Sequence, residues 1–272
     1  MMALCPQPKA RASAEAREAR RTVPWSRLDE RFPAVKPTFL EHWPPELRRW
    51  SMPAEAVPLG WAEVHALGAR LPGMAQHFEG HYRRALPELV KRLDAALAGF
   101  PEGAFVRLGS TSPKDSPLFP MLGGRVRQGD QVIRLLTSSQ ARIAPALRQA
   151  VRLTYLPTLF LRPWREIPRG SELRCFMRGR RLIGVSQYDL AGPALSDLGR
   201  DKLDALGAEI VSFFSFFRRA VHLEDVVFDL IFAFAGTQVQ LTLLELNPLD
   251  SLTDGCLFSW REDDFDGGFR YL

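Results

Sequence analysis

The chain has 272 residues, of which 46% are hydrophobic and 25% charged, and a net charge of +5. That balance is ordinary for a soluble globular protein of one or two domains. No run is apolar and long enough to span a bilayer. Cys5, Cys175 and Cys256 are isolated, with no Cys-x-x-Cys pair, which argues against a disulfide framework and a structural zinc site and for a reducing cytoplasmic setting. The basic surplus favours an anionic partner (nucleotide, nucleic acid or an acidic protein segment), the alternative being a surface that is only solvated.

In chain order, Met1–Arg21 is rich in Arg and Ala. It lacks the apolar centre of a secretory signal, and Glu15 and Glu18 speak against a transit peptide, so it reads as a frayed or weakly helical arm. Prolines break the text from Pro24 to Pro58, and Trp25, Trp43, Trp50 and Trp61 offer anchors for docking this stretch on a core. Short helices are expected near Pro45–Trp50 and Trp61–Leu71. His77 and His81 stand four apart on a possible helix, but a solvent-facing pair fits better than a metal pair, since His-Glu-x-x-His is absent. Leu86, Leu89, Val90, Leu93 and Leu97 recur at helical spacing, and Gly99 is a plausible stop.

From Gly103 the character changes. Ala104–Leu108 predicts a strand, followed by the polar loop Gly109-Ser110-Thr111-Ser112-Pro113-Lys114-Asp115. Ser139–Arg152 predicts a helix and Thr158–Trp164 an apolar strand. Leu173–Met177 with Arg181–Gln187 predicts a hairpin. Asp197–Val221 predicts a long helix burying Leu203, Leu206, Ile210, Phe213, Phe214 and Phe217. Val226–Phe234 with Val239–Asn247 predicts a second hairpin around Gly236. The plan is α+β, in three parts: a flexible basic arm over 1–23, a mainly helical part over 24–100, and a core over 101–272.

The strongest chemical signal lies in the last hairpin. Asp229 and Glu245 sit inside apolar strands, where a lone carboxylate costs several kcal/mol unless paired or metal-bound. Side chains alternate along a strand, so Glu245 and Asn247 share a face. A turn centred on Thr237, with an odd-numbered loop, puts Asp229 opposite Glu245; a two-residue turn moves it to the other face. Three convergent oxygen-bearing side chains suit Mg²⁺. The alternative is a structural ion pair of Asp229 or Glu245 with Arg162 or Arg174.

Arg107, Lys114, Arg162, Arg165 and Arg174 lie in or beside the strand-rich segment and could neutralise a polyphosphate. The Gly109–Asp115 loop offers hydroxyls and backbone N–H groups but lacks P-loop spacing, and by itself also fits a polar surface turn. Glu172 and Arg174 share a strand face, as a mutual arrangement or a nucleotide contact. No Gly-x-Ser-x-Gly elbow and no dinucleotide-binding glycine pattern is present.

Several segments together resemble one family. They are Phe105-Val106-Arg107-Leu108 with Ser112-Pro113-Lys114-Asp115; Leu161-Arg162-Pro163-Trp164 with Glu172-Leu173-Arg174-Cys175-Phe176; Leu182-Ile183-Gly184-Val185-Ser186-Gln187; and Val227-Phe228-Asp229, Glu245-Leu246-Asn247-Pro248, Thr253-Asp254 and Leu257-Phe258-Ser259-Trp260. The chain resembles the cell division cycle protein 123 family over roughly Ala104–Glu262. Eukaryotic members have an ATP-grasp fold, bind ATP and magnesium, and assist assembly of translation initiation factor 2. The resemblance implies two α+β lobes with the nucleotide between them, and a magnesium role for Asp229, Glu245 and Asn247. It implies ATP contacts for Arg107, Ser110, Ser112, Lys114, Arg162, Trp164, Arg165, Glu172, Arg174 and Tyr188. Arg107 stands where lysine is usual, Tyr188 where a basic residue is usual, Gly109-Ser110 where an Asn-Trp pair is usual, and Glu245 where aspartate is usual.

Three functions follow as expectations: an ATP-bound assembly factor with a protein partner, an ATP-dependent ligase that activates a carboxylate as acyl phosphate, and an RNA-acting or RNA-binding protein.

Overall fold

A computed structural model describes residues 2–7 and 25–272. In chain order its helices and strands are β1 (Leu4–Pro6), α1 (Trp25–Glu30), α2 (Phe32–Val35), α3 (Pro45–Arg48), β2 (Glu55–Pro58), α4 (Trp61–Gly68), α5 (Ala85–Leu97), β3 (Ala104–Leu108), α6 (Leu118–Leu122), α7 (Gly129–Ser138), α8 (Ile143–Arg152), β4 (Thr158–Pro163), β5 (Glu172–Arg178), β6 (Arg181–Gln187), α9 (Arg200–Ala220), β7 (Val226–Ala235), β8 (Gln238–Asn247) and β9 (Phe269–Tyr271), with short 3-10 turns between several of them. The chain divides into two units, one of Met1–Met52 with Glu166–Leu272 and the other of Pro53–Arg165. Among the described residues no helix is long and apolar enough to cross a membrane.

The first unit is built on a six-stranded sheet of order β1-β9-β6-β5-β7-β8. Its central pairs, β6–β5, β5–β7 and β7–β8, are antiparallel, while β9 runs parallel to both β6 and β1. Residues Leu4–Pro6, inside the expected arm, form an outer strand; the rest of the arm beyond Gln7 lies outside the described residues. The face of α9 expected from its spacing is the buried one: Leu203, Leu206, Ile210, Phe213, Phe214 and Phe217 are all buried. Phe217 stacks on Phe228 of β7 with ring centroids 4.1 Å apart, a contact worth about 1 kcal/mol beyond its burial. The proline-broken stretch docks through its tryptophans. Trp43 is buried and donates Nε1–H to the carbonyl of Thr38 at 2.8 Å. Trp50 lies against Phe213 and Phe216.

The second unit carries a three-stranded antiparallel sheet, β2-β4-β3. Helices α4, α5, α7 and α8 bury Leu67, Leu89, Leu93, Val132, Leu136 and Leu147 in one core with β3 and β4. Strand β3 spans the residues predicted. Helix α8 begins at Ile143, later than the predicted Ser139, because Ser139 instead ends α7, and its Oγ accepts the N–H of Ile143 at 3.1 Å. Helix α7 is absent from the sequence reading. Its first residue, Gly129, sits where an added Cβ would lie 2.6 Å from the carbonyl oxygen of Val90; the glycine is there for close helix approach, not to break a helix. His77 and His81 lie in two separate 3-10 turns rather than on one helix, both exposed as expected.

Candidate functional site

Glu172–Arg178 alternates its side chains across the middle of the six-stranded sheet, and the ladder sets Arg174 of β5 opposite Asp229 of β7, and Asp229 opposite Glu245 of β8. Directly opposed residues point to the same face, so one transverse row reads Arg174, Asp229, Glu245. Asn247 joins it two residues on.

The hairpin reaches this register by a different route from the expected odd-numbered loop. Ala235 pairs with Gln238, which leaves the two-residue turn Gly236-Thr237. Gly236 has φ +65°, the left-handed region where a glycine is unstrained. That register runs to Leu230–Leu243 and alone would place Leu244 opposite Asp229. A bulge between Leu230 and Asp229 inserts one residue on β8 and brings Glu245 there instead. At this point the edge strand is gripped from outside: the N–H of Leu243 donates to the carbonyl of Trp50 at 2.8 Å, and the hydroxyl of Ser51 donates to the carbonyl of Leu243 at 2.7 Å.

Arg174 presents a fork to Asp229. Nε donates to Oδ1 and Nη2 to Oδ2, each at 2.8 Å, and both side chains are buried. Nη1 donates to the carbonyl of Asp254 at 3.0 Å. Of the two ion-pair partners considered for Asp229, Arg174 is the one present. Asn247 directs Nδ2 at Asp229 Oδ2 (3.2 Å) and at Glu245 Oε1 (3.4 Å). The Asp229 carboxyl is raised to about 6: burial is the largest cause, Arg174 opposes it, and Glu245 adds to it. Arg174 is held well above the usual guanidinium value, since burial pulls it down but the charge and hydrogen bonds of Asp229 outweigh this.

Tyr188 sits with its ring 4.7 Å from the Arg174 guanidinium carbon, and burial raises its phenol well above the ordinary tyrosine range. Its N–H donates to the carbonyl of Glu172 at 3.0 Å, and Glu172 shares the face of Arg174. Burial also pushes the Cys256 thiol up to about 12 and raises Cys175, so both are neutral packing thiols.

The remaining predicted nucleotide residues lie in the other unit. Phe105 pairs with Arg162 and Arg107 with Phe160, so Arg107 and Arg162 share one face of the three-stranded sheet. Both are buried. Arg107 donates Nε–H to the carbonyl of Leu108 at 3.0 Å and Nη2–H to that of Gly109 at 3.3 Å. Trp164 donates Nε1–H to the carbonyl of Gly123 at 3.0 Å, with Arg125 stacked 4.2 Å from its ring. Arg165 and Lys114 are exposed, Ser110 half-buried and Ser112 buried.

Sequence reasoning named the 109–115 loop but not what holds it. Asp115 accepts from the Ser139 hydroxyl and from the Ala141 N–H (2.7 Å), and Thr111 Oγ1 accepts from Arg142 Nε at 3.2 Å. These partners are some twenty to thirty residues away along the chain, so only the fold could reveal them.

Asp229, Glu245 and Asn247 suit a hard divalent cation. The row presents two carboxylates, and a half-turn of the Asn247 amide exchanges its donor for an oxygen.

A family model described as D123 matches residues 74–264. The chain belongs to the D123 family. Among curated relatives, it is 33% identical to the translation initiation factor eIF2 assembly protein of Xenopus laevis over 104 residues, 38% of this chain and 30% of that one. It is 23% identical to the protein of the same description from Candida albicans over 190 residues, 64% of this chain and 53% of that one. These matches span about a third to a half of the relatives' own length. Among solved structures, Cdc123 from Schizosaccharomyces pombe aligns with a TM-score of 0.67 at 19% identity, over 86% of this chain and 95% of that one. The D123 chain therefore has the fold of that protein, in agreement with the α+β plan read from the sequence.

Proposed function

We propose that this D123 protein binds ATP with Mg²⁺ and that it works as an assembly factor for a protein partner, as do the translation initiation factor eIF2 assembly proteins it is similar to. The observation that carries the reading is the row Arg174, Asp229, Glu245 with Asn247 beside it, set in register by a bulge. Glu245 and Asn247, with Asp229, would hold the metal; bound there, Mg²⁺ supplies charge neutralisation to phosphate oxygens. Arg174 aligns the Asp229 carboxylate and fixes its rotamer. Arg107, Arg162, Lys114, Ser110 and Ser112 supply cations and hydroxyls for phosphate, and Trp164, Arg165, Glu172 and Tyr188 complete the nucleotide contacts.

The test is calorimetric titration of ATP, with and without Mg²⁺, into the wild type and Glu245→Gln. Glu245 is the better probe, because removing Asp229 also strands a buried arginine. Magnesium-dependent binding that weakens at least about tenfold in Glu245→Gln, with an unchanged melting midpoint, is the expected result. Binding indifferent to Mg²⁺, or equal in both proteins, overturns the metal assignment. ATP consumed only when an amine and a carboxylate acceptor are added would make the protein a ligase instead.

A further inference from the structure

The 109–115 loop is closed on itself and pinned. The N–H of Leu108 donates to the carbonyl of Thr111 at 2.7 Å, and Arg107 holds the carbonyls of Leu108 and Gly109. Asp115 spends both carboxylate oxygens on Ser139 and Ala141. The start of α8 is already satisfied from inside the protein: Ile143 N–H goes to Ser139 Oγ and Ala144 N–H to the Ser139 carbonyl. Those amides therefore have no vacancy for an outside anion.

What is left unspent around the loop is a set of hydrogen-bond donors. Arg142 uses only Nε, on the Thr111 hydroxyl, and is half-buried beside the loop. Its two terminal nitrogens meet no protein partner among the described residues. Neither the Lys114 ammonium nor the Ser110 and Ser112 hydroxyls has a protein hydrogen-bond partner among the described residues. The one acid of the loop, Asp115, is occupied. Two cations and two hydroxyls on a rigid frame, with the local carboxylate turned away, form a cradle for a polyanion.

We propose that Arg142 is a phosphate-contacting residue of the nucleotide site, aimed by Thr111. This rests on the reading that the loop receives the phosphates of ATP. Anchoring Nε on Thr111 leaves Nη1 and Nη2 as a paired donor edge, the geometry a phosphate accepts. Thr111 is thus a positioning residue, and Arg142 the contact.

The experiment measures ATP–Mg²⁺ and, separately, inorganic triphosphate binding to the full chain by calorimetry at two salt concentrations. The proteins are the wild type, Arg142→Gln, Arg142→Lys and Thr111→Val. Arg142→Gln should weaken ATP about tenfold and flatten the salt dependence. Arg142→Lys should recover the salt dependence but not all the affinity, and Thr111→Val should lose about threefold. Melting midpoints should stay within about 2 °C of wild type, which separates a ligand contact from a structural one. Equal ATP affinity in the wild type and Arg142→Gln overturns the proposal and leaves the magnesium reading standing. Triphosphate binding that depends on Arg142 without any ATP binding keeps the cradle and overturns the nucleotide reading. No binding of either ligand to the wild type overturns both.

Discussion

In the six-stranded sheet the buried guanidinium of Arg174 meets a carboxylate head-on, both oxygens of Asp229 at 2.8 Å. In the three-stranded sheet the buried Arg107 turns its fork back on the carbonyls of Leu108 and Gly109. The two solutions differ in what holds the guanidinium. Asp229 takes up Arg174 within the row, and Glu245 is a second acid in the same row. Carbonyl dipoles solvate the Arg107 fork, and Arg162 stands on the same face. One sheet thus centres on two acids and the other on two guanidinium groups. Under the proposed function, those are the complements of a metal ion and of phosphate.

The contrast is sharpest for Asp229→Ala. It leaves Arg174 buried with its fork empty and should cost about 3–5 kcal/mol in urea or guanidinium unfolding. A loss below about 1 kcal/mol would mean that the pair adds nothing to the fold, and the comparison would collapse.

The next effect is a pH dependence. Asp229 is raised to about 6 in the folded chain and sits near ~3.9 when unfolded. Between those values the native state binds the proton more tightly. The contribution of this group is therefore fully present below about pH 4 and is lost as the pH rises through about 6, on the order of 2–3 kcal/mol. Glu245→Gln removes one of the groups pushing Asp229 up, so the slope between those pH values should flatten. An unchanged slope would show that Glu245 does not act on Asp229.

The smallest effect is expected in the other sheet. Arg107→Lys keeps the charge and restores the residue usual in the family the chain resembles, but gives up the fork that reaches two carbonyls. It should cost about 1–2 kcal/mol. A loss as large as that of Asp229→Ala would show that this fork matters to the fold as much as the buried ion pair does.

Elements with a strong local signal were legible in the sequence. Strand β3, both hairpins and the apolar face of α9 follow from alternation and helical spacing. The acids at 229 and 245 announced themselves because apolar strands carry them at a cost. Features set by tertiary contact were not legible. Gly129 gives no local sign of a helix start, yet it opens α7, because its reason for being glycine is the carbonyl of Val90. The facing of Asp229 and Glu245 was foreseen, but through a wider turn. The bulge that produces it is anchored by Trp50 and Ser51, nearly two hundred residues earlier. Arg174 could be named as a partner of Asp229 but not chosen over Arg162, since only the strand order makes β5 the neighbour of β7.

Because the bulge and the Ser51 grip set the register of the acids, the far end of the hairpin is mechanically separate from them. Gly236 and Thr237 are exposed and lie several paired residues beyond the row. That tip is a natural attachment point: a fluorophore or a short epitope grafted between the two residues should leave the acid row in place and report on the protein without touching it.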